Sequence, residues 1–356
     1  MDFTPTETEV AVRGVISDVL DRDTAGWKAL AGANLLGVPV PVEYGGEGLG
    51  LLEVGAMLRE AGRRAATLPV WETLACAVPT LVEAGTEEQR QRVLPDVVRG
   101  ETVVAVALNE TGAAVPARPR TSILRDGERL VLAGRKVGVG NLEAADHVLV
   151  TASDAAGQAV VVLLDPSAPG VTVQPTRASR GDGAEATLVL DNVEVAEADL
   201  LEADAATYLR RHAVAGLCMF GDGLVAGARD LTAEYVKGRR QFGRSLAEFQ
   251  AVSAQMADVY IASRTIGLAA LSATWRLATA GEHHLDPDDD LAVAAYWFTA
   301  EGPPALHTCH HLHGGMGVDV TYPLHAYFSW VKDVARALGG TSQTLDNVAL
   351  RGLARS

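Results

Sequence analysis

Apolar residues recur with helical spacing along the first hundred residues of the chain. The first stretch places valine, isoleucine and leucine on one face between residues 10 and 20, with Asp2 or Thr4 in position to cap the helix. Thr86, followed by Gln89 three residues later, has the spacing of a capping box that opens another helix. Further helices are predicted over 27–36, 51–66 and 71–84.

The spacing changes to strand character near residue 102. Short β-branched stretches follow one another, with turn-forming pairs such as Asp126-Gly127 between them. So many short strands in one segment are typical of a small antiparallel β-domain, either a barrel or a sandwich. The predicted strands are 103–108, 129–133, 147–151, 159–164, 171–174 and 186–190.

From about residue 200 the helical spacing returns and continues to the end of the chain. The adjacent Pro303 and Pro304 predict a break or kink within the third long stretch. The order α, β, α predicts an α+β fold with three domains, at 1–102, 103–200 and 201–356. The predicted helices of the last domain are 209–237, 249–280, 291–313, 327–338 and 341–353.

The composition restricts the classes of function. The 356 residues are 48% hydrophobic and 21% charged, and their net charge is −15. Because nucleic acids and anionic membrane surfaces are bound by basic faces, this balance argues against partners of either kind.

The spacing of the cysteines and the N-terminal residues indicate the cellular compartment of the protein. Cys76, Cys218 and Cys309 lie far apart without CxxC spacing, so they predict free thiols in a reducing environment. The N-terminal residues lack the basic and apolar segments of a secretory signal, and no apolar run is long enough to span a membrane. We therefore expect a cytoplasmic protein.

A glycine-rich and a histidine-rich stretch have the residue types of a phosphate site and a metal site, but neither has the residue spacing that such a site needs. Gly46–Gly50 lies between predicted helices and follows no strand, which favours a structural turn over a phosphate-binding loop. A histidine-rich cluster has no carboxylate at a matching step and no HExxH order, so it predicts a helix end and a cofactor contact, with no metal. That cluster consists of His307, Cys309, His310, His311 and His313.

A basic turn follows the first long C-terminal helix. Arg239, Gln241 and Phe242 could form an anion clamp, in which the guanidinium pairs with phosphate and the aromatic side chain packs on a ring. The same residues could form a turn between helices with solvated arginines, and spacing alone favours that plainer interpretation.

Several short motifs follow in a fixed order through the C-terminal half. They are Arg239-x-Gln241-Phe242-Gly243, Phe249-Gln250, Met256-Ala257-Asp258, His311-x-x-Gly314-Gly315-x-Gly317, Tyr322-Pro323 and Gly340-Thr341-Ser342-Gln343. Together with the loop at 41–48 and the α–β–α order, these motifs resemble the signature of the acyl-CoA dehydrogenase family. The resemblance covers nearly the whole chain, and its C-terminal motifs are specific.

The resemblance implies an N-terminal helical domain, a middle antiparallel β-barrel and a C-terminal four-helix bundle. It also implies FAD, whose ring lies between barrel and bundle and whose diphosphate end reaches a neighbouring subunit. In the family a glutamate removes the α-proton of an acyl-CoA and the β-hydride passes to the flavin, with electron-transfer flavoprotein as the expected acceptor. The cofactor-binding positions implied here are Arg239, Gln241, Phe242, His311, Gly314, Gly315, Gly317, Thr341 and Gln343.

The chain departs from the family where the chemistry would occur. Gly339 stands where most members have the catalytic glutamate, and 210–215 has no carboxylate where a second group of members keeps its base. Glycine cannot accept a proton, so neither usual position supplies a base. Gly138 and Gly140 replace the aromatic residue and the threonine that lie against the flavin ring, and the glycine-rich motif at 109–116 is altered.

The positions that reach a neighbour's cofactor are kept, with His311 in place of the usual glutamine. We therefore predict a subunit without its own base that completes the flavin site of a second, catalytic acyl-CoA dehydrogenase subunit. Such a pair is similar to the actinobacterial α2β2 enzymes that act on steroid side-chain CoA thioesters. One alternative is a homotetramer with an unrecognised base such as Asp222 or Glu234, and another is a flavin-free acyl-CoA-binding scaffold.

Overall fold

In the computed structural model, helices precede and follow a central sheet along the chain. The predicted order of helices, then strands, then helices is therefore confirmed. The structure describes residues 3–22, 26–179, 185–280 and 286–353.

The N-terminal region is helical. Its first helix is capped by Thr6, whose hydroxyl accepts a hydrogen bond from the N–H of Glu9 at 3.1 Å. The predicted cap Thr4 is therefore wrong, and Asp2 lies outside the described residues, while the capping box at Thr86 is confirmed. The helices are α1 (Glu7–Leu20), α2 (Trp27–Gly32), α3 (Leu51–Arg63), α4 (Val78–Ala84) and α5 (Glu87–Val98).

The segment predicted as one helix over 71–84 is divided into two kinds of helix. Val70–Ala77 forms a π-helix, and α4 continues directly from it. The residues from Glu72 to Ala77 are all buried, so neighbouring elements enclose this segment. π-helical turns are rare in proteins, and those that occur are often at functional sites. This one places a carboxylate, Glu72, in the protein interior.

A seven-stranded sheet forms the middle region. Its strands are β1 (Val104–Ala107), β2 (Ser122–Asp126), β3 (Arg129–Gly140), β4 (His147–Ser153), β5 (Ala159–Leu164), β6 (Val171–Thr176) and β7 (Glu185–Val195). Their order is β1-β4-β2-β3-β7-β6, with β5 paired to β4.

The prediction of an antiparallel sheet is corrected to a mixed one. β1 pairs in parallel with β4, with Val104 opposite His147, and Ser122 of β2 meets Ser153 of β4 in the same sense. Parallel neighbours need a crossover connection, and here β2 and β3 lie between β1 and β4 along the chain, while β3 lies between β2 and β4. The remaining pairs are antiparallel.

The described residues of the C-terminal region form five helices. Four of them, α6 to α9, pack against one another as the predicted bundle, and the fifth packs on α8. A two-stranded hairpin, β8 and β9, follows α6. The elements are α6 (Ala205–Gly238), β8 (Arg240–Gln241), β9 (Arg244–Ser245), α7 (Gln250–Ala278), α8 (Asp288–His313), α9 (Leu324–Ala337) and α10 (Gly340–Leu353).

The predicted break at Pro303 and Pro304 is wrong, since α8 continues through both residues. Pro303 has no N–H to donate to the carbonyl of Thr299 four residues earlier. The hydroxyl of Thr341, at the start of α10, donates to that carbonyl at 2.9 Å instead. This bond replaces the missing helical one and fixes α10 to the middle of α8.

Two apolar cores stabilise the fold. The larger joins the N-terminal helices, the bundle and part of β1 and β4, and the smaller fills the middle sheet. In the part of the chain that the structure describes, the helices are too short or too polar to cross a membrane.

Candidate functional site

The three regions meet around a cavity of about 60 Å³, which we call the junction cavity. α3 and the π-helix form one wall, β1 and β3 a second, and α6 and α9 a third. Most of its lining is apolar, yet three acidic residues also reach it. They are Glu72, Glu185 and Asp333.

Glu72 occupies the space beside Gly140. One of its carboxylate oxygens accepts a hydrogen bond from the side-chain amide of Asn141 at 2.8 Å. A β-carbon at Gly140 would overlap this carboxylate, so glycine is required there as long as Glu72 keeps its position. The position at which the family has a threonine against the flavin ring is thus covered by a carboxylate of this chain.

Arg336 occupies the space beside Gly138. Its guanidinium donates to both carboxylate oxygens of Glu185, at 2.6 and 2.8 Å. A β-carbon at Gly138 would lie 2.7 Å from the nearest guanidinium nitrogen of Arg336, and the residue has a φ of +63°. A large aromatic residue, which the family has at this position, is incompatible with this ion pair.

The usual base position, Gly339, has no room for a side chain. Its φ is +96°, and a β-carbon would lie 2.5 Å from the side-chain carbonyl carbon of Gln343. The amide of Gln343 donates to the carbonyl of Ala114 at 2.8 Å. Gln343 therefore links α10 to the loop before β2 and fills the space that a catalytic side chain would need.

The second usual base position is equally without a carboxylate. Its stretch at the start of α6 contributes His212, which is buried and donates from Nδ1 to the carbonyl of Tyr208 at 2.9 Å. Burial lowers the pKa of His212, which favours the neutral form of this ring. The neighbouring Arg211 pairs with Asp288 of α8 at 2.8 Å.

The two alternative bases lie elsewhere. Asp222 is buried at another cavity, where it accepts from Arg59 at 2.6 Å. Glu234 is exposed and pairs with Lys237 at 2.8 Å. Neither residue lines the junction cavity, whereas Glu72 does. The one sequence signal for Glu72 is a lone acid at the start of an otherwise apolar segment.

A buried ion pair fixes the loop between β1 and β2. Lys136 is fully buried and donates to Glu110 at 2.8 Å. The same carboxylate accepts from the N–H of Arg120 at 2.7 Å and from the N–H of Thr121 at 2.9 Å, so it joins both ends of the loop. Burial alone would raise the pKa of Glu110, but Lys136 and these backbone donors outweigh it and lower that pKa to about 2.

Most of the predicted cofactor residues lie together at one end of the bundle, where α6 and α8 both end. Tyr235 of α6 joins the two ends: its ring stacks on His313 at 4.3 Å, and its hydroxyl donates to the carbonyl of that residue. The residues of this end are Arg239, Gln241, Phe242, His311, Gly314, Gly315 and Gly317.

The β8–β9 hairpin projects from this end. Phe242, at its turn, is 92% exposed and has a φ of +50°, which is unusual for a residue other than glycine. Arg239 and His311 are exposed as well, and within the described ranges the guanidinium of Arg239 forms no ion pair. These groups are available to a ligand or a partner. Gly317 allows close approach of the chain, because a β-carbon there would lie 2.8 Å from the carbonyl of His310.

The other two predicted cofactor residues, Thr341 and Gln343, lie away from this end. Both side chains bond to the chain itself, Thr341 to Thr299 and Gln343 to Ala114. They are separated from the hairpin because Thr299 lies near the middle of α8, several turns before its end. The predicted positions thus fall into a group at the end of the bundle, exposed apart from Gly317, and an internally bonded group.

The histidine-rich cluster serves packing in this structure. His307 and His310 lie against the ring of Phe328, at centroid distances of 5.0 and 4.2 Å. Cys309 is buried, and His313 donates from Nδ1 to its carbonyl at 2.8 Å. Across the described residues, no three histidine, cysteine or acidic side chains converge as they would around a metal ion.

Comparison with known proteins identifies relatives over the full length of the chain. Residues 4–101 match the acyl-CoA dehydrogenase N-terminal domain, and residues 206–354 match the C-terminal domain of the same family. Acyl-CoA dehydrogenase FadE28 of Mycobacterium tuberculosis is 48% identical over 351 residues, which cover 99% of both chains.

Two solved structures are similar as well. The ChsE4-ChsE5 complex from Mycobacterium tuberculosis aligns with a TM-score of 0.90, at 30% identity and 100% coverage of both chains. A variant of the Tcur3481-Tcur3483 steroid ACAD aligns with a TM-score of 0.86, at 35% identity and 98% coverage of both chains.

Proposed function

The chain belongs to the acyl-CoA dehydrogenase family, and from this premise we propose that it is the base-less subunit of a heteromeric member. Family members bind FAD, which accepts the hydride in the reaction. This chain would pair with a second subunit that holds the flavin ring and the catalytic glutamate. Its own role would be to hold the diphosphate end of that subunit's FAD.

The junction cavity and the hairpin end of the bundle differ in how well their residues suit FAD. In the junction cavity, Arg336 and Glu72 take the spaces at Gly138 and Gly140, which supports a flavin ring held by the partner subunit. The proton and hydride transfers would therefore take place in the partner subunit.

At the other end, the exposed Arg239 has a guanidinium that suits a diphosphate, and Phe242 beside it presents an aromatic surface. This end fits the diphosphate portion of a cofactor whose ring lies in a neighbouring subunit. The proposal rests on one contrast. Gln343 fills the space for a base at Gly339, whereas most side chains of the β8–β9 hairpin are exposed.

The proposed substrate is a steroid side-chain CoA thioester, with electron-transfer flavoprotein as the electron acceptor of the pair. Support for the substrate comes from the similar Tcur3481-Tcur3483 structure, which is described as a steroid ACAD. Support for a heteromeric assembly comes from the similar ChsE4-ChsE5 complex. The compartment we propose is the cytoplasm.

One experiment tests the role of the hairpin. We expect Arg239→Ala to lower the amount of FAD retained by the purified pair of subunits, because one charge-assisted phosphate contact is lost. Such a contact contributes about 1.5–3 kcal/mol, so the affinity for FAD should fall by at least about tenfold. Flavin absorbance after repeated buffer exchange measures the effect.

The matched control is Lys237→Ala at the same end of α6. Lys237 forms an exposed salt bridge with Glu234, and exposed pairs contribute little to stability. This variant should keep the flavin of the unaltered pair. Equal flavin retention in Arg239→Ala and the unaltered pair would argue against the proposed phosphate contact.

A further inference from the structure

A second cavity, of about 290 Å³, lies between α1, α3, α6 and α7, separate from the junction cavity. Its lining holds four arginines and two acids, Glu9 and Asp222, although the chain as a whole carries a net charge of −15. We call it the arginine cavity. Its four arginines are Arg13, Arg59, Arg229 and Arg264.

Acids of the chain neutralise two of these arginines. Arg59 donates to the buried carboxylate of Asp222 at 2.6 Å. Arg229 donates to Asp230 at 2.6 and 2.9 Å, and also to the hydroxyl of Ser263 at 3.1 Å. Both guanidinium groups are therefore fixed in place, and their charge is balanced.

Arg13 and Arg264 are not balanced in the same way. Neither forms an ion pair with a carboxylate in the ranges that the structure describes. The remaining acid of the lining, Glu9, is engaged in capping α1, where it accepts from the N–H of Thr6 at 2.7 Å. Two guanidinium groups thus reach the cavity without a salt bridge to a carboxylate of the described residues.

The floor of the cavity is poorly solvated. Burial raises the pKa of Asp222, and the nearby charges of Arg59, Arg229 and Arg264 oppose that shift. Asp222 and Met219 are buried, whereas Arg264 and Leu268 are exposed, so an anion bound here would lie between a buried floor and an open rim.

The rest of the lining is apolar, so the cavity offers two kinds of surface side by side. A carboxylate with a hydrocarbon body matches both, whereas an inorganic anion matches only the arginines. The apolar lining residues are Phe3, Leu52, Met219, Leu268 and Leu271.

We propose that the arginine cavity binds an organic carboxylate, whose head group pairs with Arg13 and Arg264 and whose short hydrocarbon body lies against Leu52, Met219 and Leu271. This site is separate from the proposed half-site for FAD, since none of the predicted FAD-binding residues lines it.

Calorimetric titration of the full-length chain with hexanoate tests the proposal. We expect saturable binding of one hexanoate per chain. Hexanol, which has the same body without the charge, and inorganic phosphate, which has charge without the body, should both bind more weakly. Absence of saturable hexanoate binding, or phosphate binding as tight as that of hexanoate, would overturn the proposal.

Two variants locate the site. Arg264→Gln and Arg13→Gln should each weaken hexanoate binding about tenfold, because each removes a charge-assisted hydrogen bond. Neither change breaks an ion pair within the described residues, so both variants should fold. Arg177→Gln, an exposed arginine of the middle region that does not line this cavity, is the control and should bind as the unaltered chain does. Unchanged hexanoate affinity in both cavity variants would also overturn the proposal.

Discussion

Replacing Lys136 by methionine should destabilise the chain by about 3–5 kcal/mol, because it leaves the carboxylate of Glu110 buried without its cation. The cost is large because Lys136 is fully buried and Glu110 nearly so. The change should also loosen the loop before β2, since Glu110 bonds to Arg120 and Thr121 at the far end of that loop. Urea unfolding followed by tryptophan fluorescence and by circular dichroism measures the loss.

The matched control removes both charges of the pair. The double variant Lys136→Met with Glu110→Gln keeps one oxygen that can accept from the N–H of Thr121, although its NH2 group leaves the N–H of Arg120 without an acceptor. It should still be more stable than Lys136→Met alone, because no unpaired charge stays buried. A single variant as stable as the unaltered chain would contradict the view that this pair fixes the loop. A double variant less stable than the single one would contradict the charge explanation.

Introducing the missing base should not produce an active enzyme. We expect Gly339→Glu to give no acyl-CoA-dependent dye reduction by the chain alone, because Arg336 and Glu72 still fill the ring side of the junction cavity. The variant should also lose stability. Its left-handed backbone at φ +96° costs a non-glycine residue about 1–2 kcal/mol, and its side chain displaces Gln343 from Ala114.

Two alanine variants separate these costs. Gly339→Ala has both the left-handed backbone and the contact with Gln343, whereas Gly340→Ala, at φ +71°, has no neighbour within 4 Å of its β-carbon. The first should therefore unfold at lower urea than the second. Dehydrogenase activity in Gly339→Glu would mean that the chain holds a working flavin ring, and the half-site proposal would be wrong.

The order of elements could be predicted from the sequence because helical and strand spacing are local signals. β2 was missed because three of its five residues are exposed and its sequence includes Arg125 and Asp126, so it lacks the pattern of a half-buried strand. The parallel pairing of β1 and β4 depends on which strands meet after long connections, and local spacing contains no such information.

The departures at Gly138, Gly140 and Gly339 were visible in the sequence, but what fills their spaces was not. Arg336 is almost 200 residues from Gly138 along the chain, and no motif links the two. Thr341 shows the converse difficulty. It matches a family motif, yet its hydroxyl bonds to the carbonyl that Pro303 leaves without a helical donor, a role that only the packing of α10 on α8 reveals.

Flavin content measures the central proposal most directly. The chain purified alone should be colourless, and the pair formed by co-expression with a catalytic acyl-CoA dehydrogenase subunit should contain one FAD for each pair of subunits. If the chain binds no flavin and forms no pair with that subunit, the result would favour the scaffold alternative. One FAD per chain in the protein purified alone, with acyl-CoA-dependent bleaching of its absorbance, would contradict the account.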